Sequence, residues 1–154
     1  VLYKNATVYL PGFFKNNGIK LAGFQEKQSK GYNNYRFIPM NQSLTSYVLS
    51  RGYDYTYIDQ YTKGSIEYAA PLWNTDFNLA GWIFLRRIYA KAFFDHTKIE
   101  ILNFTDNLNS AGAELIFETK FFRLLDIDLG VRNNYKLNPN ESSIDFFFST
   151  AGDF

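Results

Sequence analysis

The carboxy-terminal residues of the chain alternate between apolar and polar side chains. One parity of residues 143–154 is apolar, and it carries Ile144, Phe146, Phe148 and Phe154. The other parity is polar, with Phe147 as its one large exception. A period of two predicts a β-strand whose two faces meet different surroundings, one apolar and one polar.

Six earlier segments repeat this period, at residues 6–10, 19–28, 65–72, 87–95, 112–121 and 125–133. No helical period is sustained, so the sequence predicts an all-β protein of about seven antiparallel strands. The connections at 122–124 and 136–141 are short. The stretches 29–63 and 96–110 are predicted to be long loops. An eighth strand within 31–50 would complete a minimal barrel; otherwise the sheet is completed by sequence outside this chain.

Aromatic residues make up 19% of the 154 residues, while the mean hydropathy is negative. No run of eighteen apolar residues occurs, so transmembrane helices are not expected. Alternating strands, abundant aromatic residues and alternately short and long loops favour an outer-membrane β-barrel with an apolar outer band and a polar lumen. A soluble β-barrel or sandwich fits the same composition. Trp73 and Trp82 flank a predicted turn at 74–76, and we expect both to anchor the chain at a membrane interface.

Few residues suggest catalysis, metal binding or nucleic-acid binding. The net charge of +1 provides no field for a polyanion, so no nucleic-acid partner is expected. Cysteine is absent and His96 is the only histidine, which argues against a metal site and against a nucleophile–base pair. Four acidic residues alternate on two strands and are interpreted as solvated residues of a lumen wall: Glu114, Glu118, Asp126 and Asp128. We therefore expect no enzyme activity, no metal and no cofactor.

Five short motifs follow one another in a fixed order. They are Arg51-Gly52-Tyr53 in the first long loop, Glu67 and Pro71 on the next strand, Phe93-Phe94-Asp95, Ser110-Ala111-Gly112, and a last strand with Phe146 and Phe154. In this order the chain resembles, over residues 19–154, the outer-membrane insertases and translocators of the BamA, TamA and two-partner-secretion type, the bacterial surface antigen family. His96 departs from the family pattern, in which a small residue and a glycine usually follow the aspartate.

The resemblance implies that residues 1–154 are the C-terminal part of a larger, sixteen-stranded barrel in the bacterial outer membrane. It implies a function in the insertion of outer-membrane proteins or in polypeptide translocation, without a cofactor. The partners would be outer-membrane lipid, upstream strands of the same barrel, client outer-membrane proteins and accessory assembly subunits. Three aromatic residues of the last strand would face lipid and form a signal for the assembly machinery: Phe146, Phe148 and Phe154.

The resemblance also implies that loop 29–63 folds toward the lumen and carries its tip motif there. Parity agrees with this site, because it places Glu67 and Asp95 on the polar faces of their strands. A guanidinium presents a planar fork to carboxylates, so Arg51 is expected to pair with Asp95 beside Glu67. Gly52 would allow a close approach of the backbone, and Tyr53 would stack beside it.

Two other interpretations stay open. The chain could be a complete eight-stranded outer-membrane barrel with a structural or adhesive role. It could also be a soluble β-barrel that binds a small hydrophobic ligand. An outer-membrane lipid-modifying enzyme is a weaker alternative, because no nucleophile–base set is visible. Residues 1–4 resemble the interior of a protein, so we expect the chain to be part of a longer one.

Overall fold

The computed structural model of the chain describes residues 2–27, 36–37, 49–53, 57–58, 60–79, 81–101, 104–122 and 124–150. All regular structure in these ranges is β-strand. The strands in them are β1 (Leu2–Pro11), β2 (Gly18–Lys27), β3 (Arg36–Phe37), β4 (Tyr57–Ile58), β5 (Gln60–Leu79), β6 (Ile83–Ile101), β7 (Phe104–Phe121), β8 (Leu125–Leu137) and β9 (Asn140–Thr150). None of the described residues belongs to a helix long and apolar enough to cross a membrane.

Seven of these strands form one antiparallel sheet in the order β1-β2-β5-β6-β7-β8-β9. The predicted all-β class and the seven antiparallel strands are therefore confirmed. Over the described ranges the sheet is open, with β1 and β9 at its edges. β3 and β4 pair with each other in a separate ladder, Arg36 opposite Ile58 and Phe37 opposite Tyr57. The eighth strand considered for 31–50 does not join the sheet in the part of the chain that the structure describes.

β6 and β7 are longer than predicted. They remain paired as far as Ile101 and Phe104, so the long loop predicted at 96–110 is wrong. The two strands continue because burial still alternates here, with Thr97 buried on one face and Lys98 exposed on the other. Apolar and polar types still alternate here, with Ile99 between Lys98 and Glu100, but the apolar parity changes face, because Ile99 is buried on the inner face whereas Phe94 is exposed on the outer face. The single strand therefore carries two opposite patterns, and a search for one pattern ends at the reversal.

β5 also continues through the turn predicted at 74–76 and ends at Leu79, so that turn is wrong. A register shift between Pro71 and Trp73 inserts an extra residue into β5. The ladder then resumes with Trp73 opposite Ile88, which brings Trp73 to the face that Ile88 occupies. The polar residues at this irregular part of the strand have the composition of a turn, which explains the wrong prediction.

The two faces of the sheet differ in chemistry. One face, here called the inner face, carries buried polar and charged side chains: Glu26, Lys63, Ser65, Asp95, Thr97, Glu114, Asp128, Arg132 and Asn134. The opposite, outer face carries large exposed apolar side chains: Val8, Ile66, Phe94, Leu115, Leu129, Ile144, Phe146 and Phe148. A water-soluble sheet has the inverse arrangement, with its apolar face buried and its polar face exposed.

The two ends of the sheet also differ. The connections between β1 and β2, between β5 and β6, and between β7 and β8 lie at one end, here called the turn end. The connections between β6 and β7 and between β8 and β9 lie at the opposite, loop end. The long connection from β2 to β5 starts and finishes at the loop end as well. Residues 49–53 belong to this connection, so topology brings them to the loop end, and their contacts with Asp95 and Leu108 place them on the inner face.

Candidate functional site

Residues 49–53, here called the loop tip, lie against the inner face of β6 and β7. The Ser50 hydroxyl donates to the backbone oxygen of Leu108 at 2.7 Å, and its Oγ lies 2.8 Å from Oγ1 of Thr97. Ser50 is 1% exposed and Arg51 is 3% exposed. Because both strands contribute hydrogen bonds to one buried serine, the loop tip has a defined position on the wall.

Arg51 contacts carboxylates on three neighbouring strands. Its Nη1 donates to Oε1 of Glu114 on β7 at 3.1 Å, and its Nη2 donates to Oε1 of Glu67 on β5. Its Nε lies 3.1 Å from Oδ2 of Asp95 on β6, and its backbone N–H donates to the same oxygen at 3.1 Å. One guanidinium therefore bridges β5, β6 and β7 from the inner side.

The charges around Arg51 are buried but have partners. Burial alone lowers the pKa of the Arg51 guanidinium, but Asp95, Glu67 and Glu114 raise the pKa, which lies above its ordinary value. Arg51 therefore remains protonated. Lys63 adds a second buried cation, because its Nζ lies 3.8 Å from Oδ2 of Asp95. Removing one member of such a set leaves the others as uncompensated buried charges.

Arg51 also stacks on an aromatic ring. Its Cζ lies 4.0 Å from the ring centroid of Phe93. Gly112 lies directly opposite Phe93 on β7, and a Cβ at Gly112 would come within 2.6 Å of that ring. The missing side chain leaves room for the ring to lie over the neighbouring strand. Phe93, an apolar residue on a polar face, thus packs its ring between the guanidinium and the sheet.

A second unit of the same kind lies on β8 and β9. Cζ of Arg132 lies 4.6 Å from the ring centroid of Phe147, and Gly130 lies opposite Phe147, where a Cβ would clash with the ring. Nε of Arg132 donates to Oε1 of Glu114 at 2.7 Å. Two arginine–aromatic–glycine units therefore meet at one carboxylate. This contact gives Phe147, the apolar exception in its strand, a place in the inner-face network.

The other two residues of the tip motif extend the contact to β8. Gly52 has a φ of 88°, and a Cβ there would lie 3.3 Å from Cβ of Asn134, so both backbone conformation and space favour glycine. The Tyr53 hydroxyl lies 3.0 Å from the backbone oxygen of Asn109 and 2.7 Å from that of Asn138. The tyrosine thereby links the loop tip to the β8–β9 turn.

The inner face changes character from the loop end to the turn end. A hydrophobic cluster lies at the loop end and consists of Leu49, Ile58, Tyr61, Ile99 and Leu108. The Arg51 network follows, and beyond it a cavity of about 560 Å³ opens on the turn side. Both charged and apolar side chains border this cavity on several strands, among them Lys20, Arg87, Lys91, Glu118 and Asp128, and Ile19, Pro71 and Ile116. The loop tip therefore separates an apolar layer from a cavity of mixed charged and apolar lining.

The structure brings some of the predicted residues together and leaves others apart. Arg51 lies with Glu67 and Asp95, as described above. Phe146 and Phe148 are exposed on the outer face of the edge strand β9, and Phe154 lies outside the described residues. Trp73 and Trp82 are both exposed, Trp73 on the outer face and Trp82 in the β5–β6 turn. Much of the predicted loop 29–63 lies outside the described residues, and residues 60–63 belong to β5.

Sequence reasoning missed two charged members of the site. The pattern predicts a solvated Glu114, but this residue is 5% exposed and contacts both Arg51 and Arg132. The predicted loop 29–63 includes Lys63, but this residue lies in β5, and its Nζ donates to the backbone oxygen of Leu49 at 2.8 Å. Parity carried a signal for Lys63, because it lies two and four residues before other inner-face residues of its strand. The contact of Glu114 with a loop residue had no signal within its own strand.

The contacts of the site hold the loop tip on the inner face of the sheet. In the described part of the chain, no group of three or more acidic or histidine side chains is placed to hold a metal ion. His96 is exposed, and its Nδ1 lies 2.6 Å from Oδ1 of Asn109. The sequence and the fold match no protein-family model, no curated protein and no solved structure.

Proposed function

We propose that the chain is part of an outer-membrane β-barrel that inserts outer-membrane proteins or translocates polypeptides. The observation that carries the proposal is the contact of Arg51 with Glu67, Asp95 and Glu114 on three adjacent strands. An arginine at the tip of a long loop, bound to carboxylates on the inner wall, is the arrangement that the family resemblance implies.

The two faces of the sheet support a membrane location. The outer face is exposed and apolar, which suits contact with lipid chains, and the inner face is charged, which suits a wet lumen. A soluble barrel with a small hydrophobic ligand would present a polar outer face to water. The exposed apolar side chains of the outer face disfavour that alternative.

In this proposal the sheet is one side of a larger barrel in the bacterial outer membrane. The open edge at β1 would pair with upstream strands, and the edge strand β9 would form a weak seam with the first strand of the barrel. A client strand could add to such a seam by β-augmentation, so no cofactor and no catalytic residue are needed. Lipid, client proteins and accessory assembly subunits would be the partners.

The membrane part of the proposal is tested by placing a charge on the outer face. Leu129 is exposed on the outer face of β8, whereas Leu124 is exposed in the β7–β8 turn. Leu129→Lys should lower the free energy of unfolding in lipid vesicles by about 2–4 kcal/mol if residue 129 lies near the bilayer midplane. Leu124→Lys, the matched control, should cost about 0–1 kcal/mol near the interface. Equally small decreases in the free energy of unfolding for the two substitutions would contradict the membrane location.

The functional part is tested by the insertion of a client. The protein is reconstituted into phospholipid vesicles, and the folding of a small eight-stranded outer-membrane barrel is followed by its heat-modifiable mobility. Arg51→Lys keeps the charge but loses the planar fork of the guanidinium. It should therefore slow client folding if the attachment of the loop tip to the inner face is needed for the activity. Lys98→Ala is the control, because Lys98 lies in an exposed pair with Glu100 at the loop end. If neither the wild type nor any variant accelerated the folding of the client, the insertase proposal would be contradicted.

A further inference from the structure

One buried carboxylate on the inner face has no partner. Asp128 on β8 is 6% exposed and borders the cavity on the turn side of the Arg51 network. Among the described residues, none forms a hydrogen bond or an ion pair with its carboxylate. Taking a carboxylate out of water without a compensating partner is unfavourable, so a group of this kind needs an explanation.

The other carboxylates at this cavity already have cationic partners. Three of them border the cavity, and each contacts an arginine: Glu67, Glu114 and Glu118. Both oxygens of Glu118 accept from Arg87, whose Nε donates to Oε2 at 3.0 Å and whose Nη2 donates to Oε1. The guanidinium of Arg87 is therefore used on Glu118. In the part of the chain that the structure describes, Asp128 is the cavity carboxylate left without an ion pair.

The register of the sheet explains why Asp128 is left over. Four residues lie directly opposite one another in one row across β6, β7, β8 and β9: Arg87, Glu118, Asp128 and Ser149. The row holds two carboxylates and one guanidinium, and Glu118 lies between Arg87 and Asp128. Like charges directly opposite each other destabilise a sheet, so one more cation beside Asp128 would stabilise this row. Ser149 lies on the far side of Asp128 and adds a hydroxyl that can accept a hydrogen bond.

Lys91 is the cation of the chain that has to be considered as a partner. Over the described ranges it is the one cation at the cavity without an ion pair. It lies opposite Glu114, four residues along β7 from Glu118, which corresponds to roughly 13 Å along the strand. Its Nζ lies 5.6 Å from the ring centroid of Tyr89. Lys91 thus belongs to another row, and the place beside Asp128 stays open to a cation from outside the chain.

The surroundings of Asp128 suit a cation that is carried on an apolar stem. The cavity of about 560 Å³ has the size of a small-ligand site. Apolar side chains border it as well: Ile19, Pro71 and Ile116. A guanidinium or ammonium group can donate to the carboxylate and the hydroxyl while its methylene stem follows the apolar surface. A metal ion fits less well, because the described residues bring no three acidic or histidine side chains together.

We infer that Asp128, with Ser149 opposite it, forms a binding site for a monovalent organic cation of the guanidinium or alkylammonium type. Such a cation can be a basic side chain of a polypeptide inside the lumen or a free small molecule. The inference goes beyond the proposed function, because it assigns a ligand to the inner face and requires no client insertion.

Fluorescence anisotropy of a labelled peptide tests this inference on the whole chain in neutral detergent micelles. The probe is the amidated pentapeptide Gly-Ser-Arg-Ser-Gly with an uncharged coumarin at its amino terminus. Asp128→Asn keeps the size of the side chain and removes its charge, so it should weaken probe binding by at least about tenfold. Asp126→Asn is the matched control on the same face of β8, because Oδ1 of Asp126 already lies 3.6 Å from both Nη1 of Arg86 and Nζ of Lys120. It should change the affinity by less than about twofold.

Two further ligands make the test independent of any change in the protein. The same peptide with citrulline in place of arginine has no charge and should not bind the wild type. Unlabelled butylguanidinium distinguishes the two sources of the cation. Displacement of the probe at the concentration at which the unlabelled peptide displaces it would identify a free small cation as sufficient, and much weaker displacement would identify a polypeptide side chain as the ligand.

Four results would overturn the inference. They are no binding of the probe to the wild type, equal binding to the wild type and to Asp128→Asn, equal binding of the citrulline peptide, and a loss of binding in Lys91→Met. The last result would place the ligand on Lys91, whereas the inference predicts that Lys91→Met binds at least as tightly as the wild type. Each of these results would leave the insertase proposal standing, because that proposal is decided by client folding.

Discussion

Arg51 and Arg87 both lie on the inner face with carboxylate partners, but their surroundings differ. The Arg51 side chain is 4% exposed and contacts three carboxylates, whereas the Arg87 side chain is 47% exposed and pairs with Glu118. Both arginines also lie near an aromatic ring, Arg51 above Phe93 and Arg87 above Tyr89. The chemistry of the two groups is therefore similar, and burial is the main difference between them.

The comparison shows what the loop tip adds to the sheet. Around Arg87 water remains available, so the ion pair is screened and each partner can be solvated alone. Around Arg51 the loop tip excludes water, so the carboxylates of Glu67, Asp95 and Glu114 depend on the guanidinium. The loop tip both carries the Arg51 cation and shields the surrounding carboxylates from water. We therefore expect the stability of the loop position and that of the buried network to be coupled.

The largest difference between the two sites is expected when each arginine is replaced by alanine. Arg51→Ala should lower the free energy of unfolding by about 3–5 kcal/mol, because it leaves buried carboxylates without their main partner. Arg87→Ala should cost about 0–1 kcal/mol, because an exposed pair contributes little. Urea unfolding in lipid vesicles, followed by tryptophan fluorescence, measures both. A cost for Arg87→Ala equal to that for Arg51→Ala would show that burial by the loop tip does not matter.

A smaller effect is expected from filling the space beneath the Arg51 stack. Gly112→Ala should cost about 1–3 kcal/mol, because its Cβ would overlap the Phe93 ring and the backbone oxygen of Asn133. Gly64→Ala is the matched control in β5, since a Cβ there meets no atom within 4 Å. The same unfolding assay applies. If the two alanine substitutions had the same effect, the aromatic–glycine pair would have no part in holding Arg51.

The smallest effect is expected at the edge of the loop tip. Tyr53→Phe should cost about 0.5–1.5 kcal/mol, because the hydroxyl contacts the backbone oxygens of Asn109 and Asn138 near the surface. Amide hydrogen exchange of the β8–β9 turn should increase in this variant, since Asn138 N–H donates to the same hydroxyl. Unchanged exchange would show that Tyr53 does not hold the β8–β9 turn and that only Ser50 and Arg51 fix the loop tip.

Much of the sheet could be predicted from local patterns. Strands such as β8 have one apolar and one polar parity, and parity alone gave the faces of Asp128 and Leu129. The length of the β6–β7 hairpin is not evident from one continuous pattern, because the apolar parity of β6 changes from the outer face at Phe94 to the inner face at Ile99. The bulge before Trp73 was also invisible, since it depends on the pairing of β5 with β6.

The candidate site could be predicted only in part. Parity and the family resemblance pointed to Arg51, Glu67 and Asp95. The role of Phe93 depends on Gly112 lying opposite it, and that register is a long-range property of two strands. The role of Glu114 depends on a loop residue 63 positions earlier in the chain. Local patterns cannot encode such contacts, so they missed the carboxylate at which Arg51 and Arg132 meet.

The position of the loop tip can be measured directly by a disulfide cross-link. The chain has no cysteine, and Ser50 Oγ lies 2.8 Å from Thr97 Oγ1, so Ser50→Cys with Thr97→Cys places two thiols in contact. The control is Ser50→Cys with Lys91→Cys, because residue 91 lies on the same face of β6 but about 20 Å away. The cross-link at 50 and 97 should form on mild oxidation and weaken when Arg51→Ala is added. Equal yields for the two cysteine pairs would contradict the account that the loop tip is locked on the inner face.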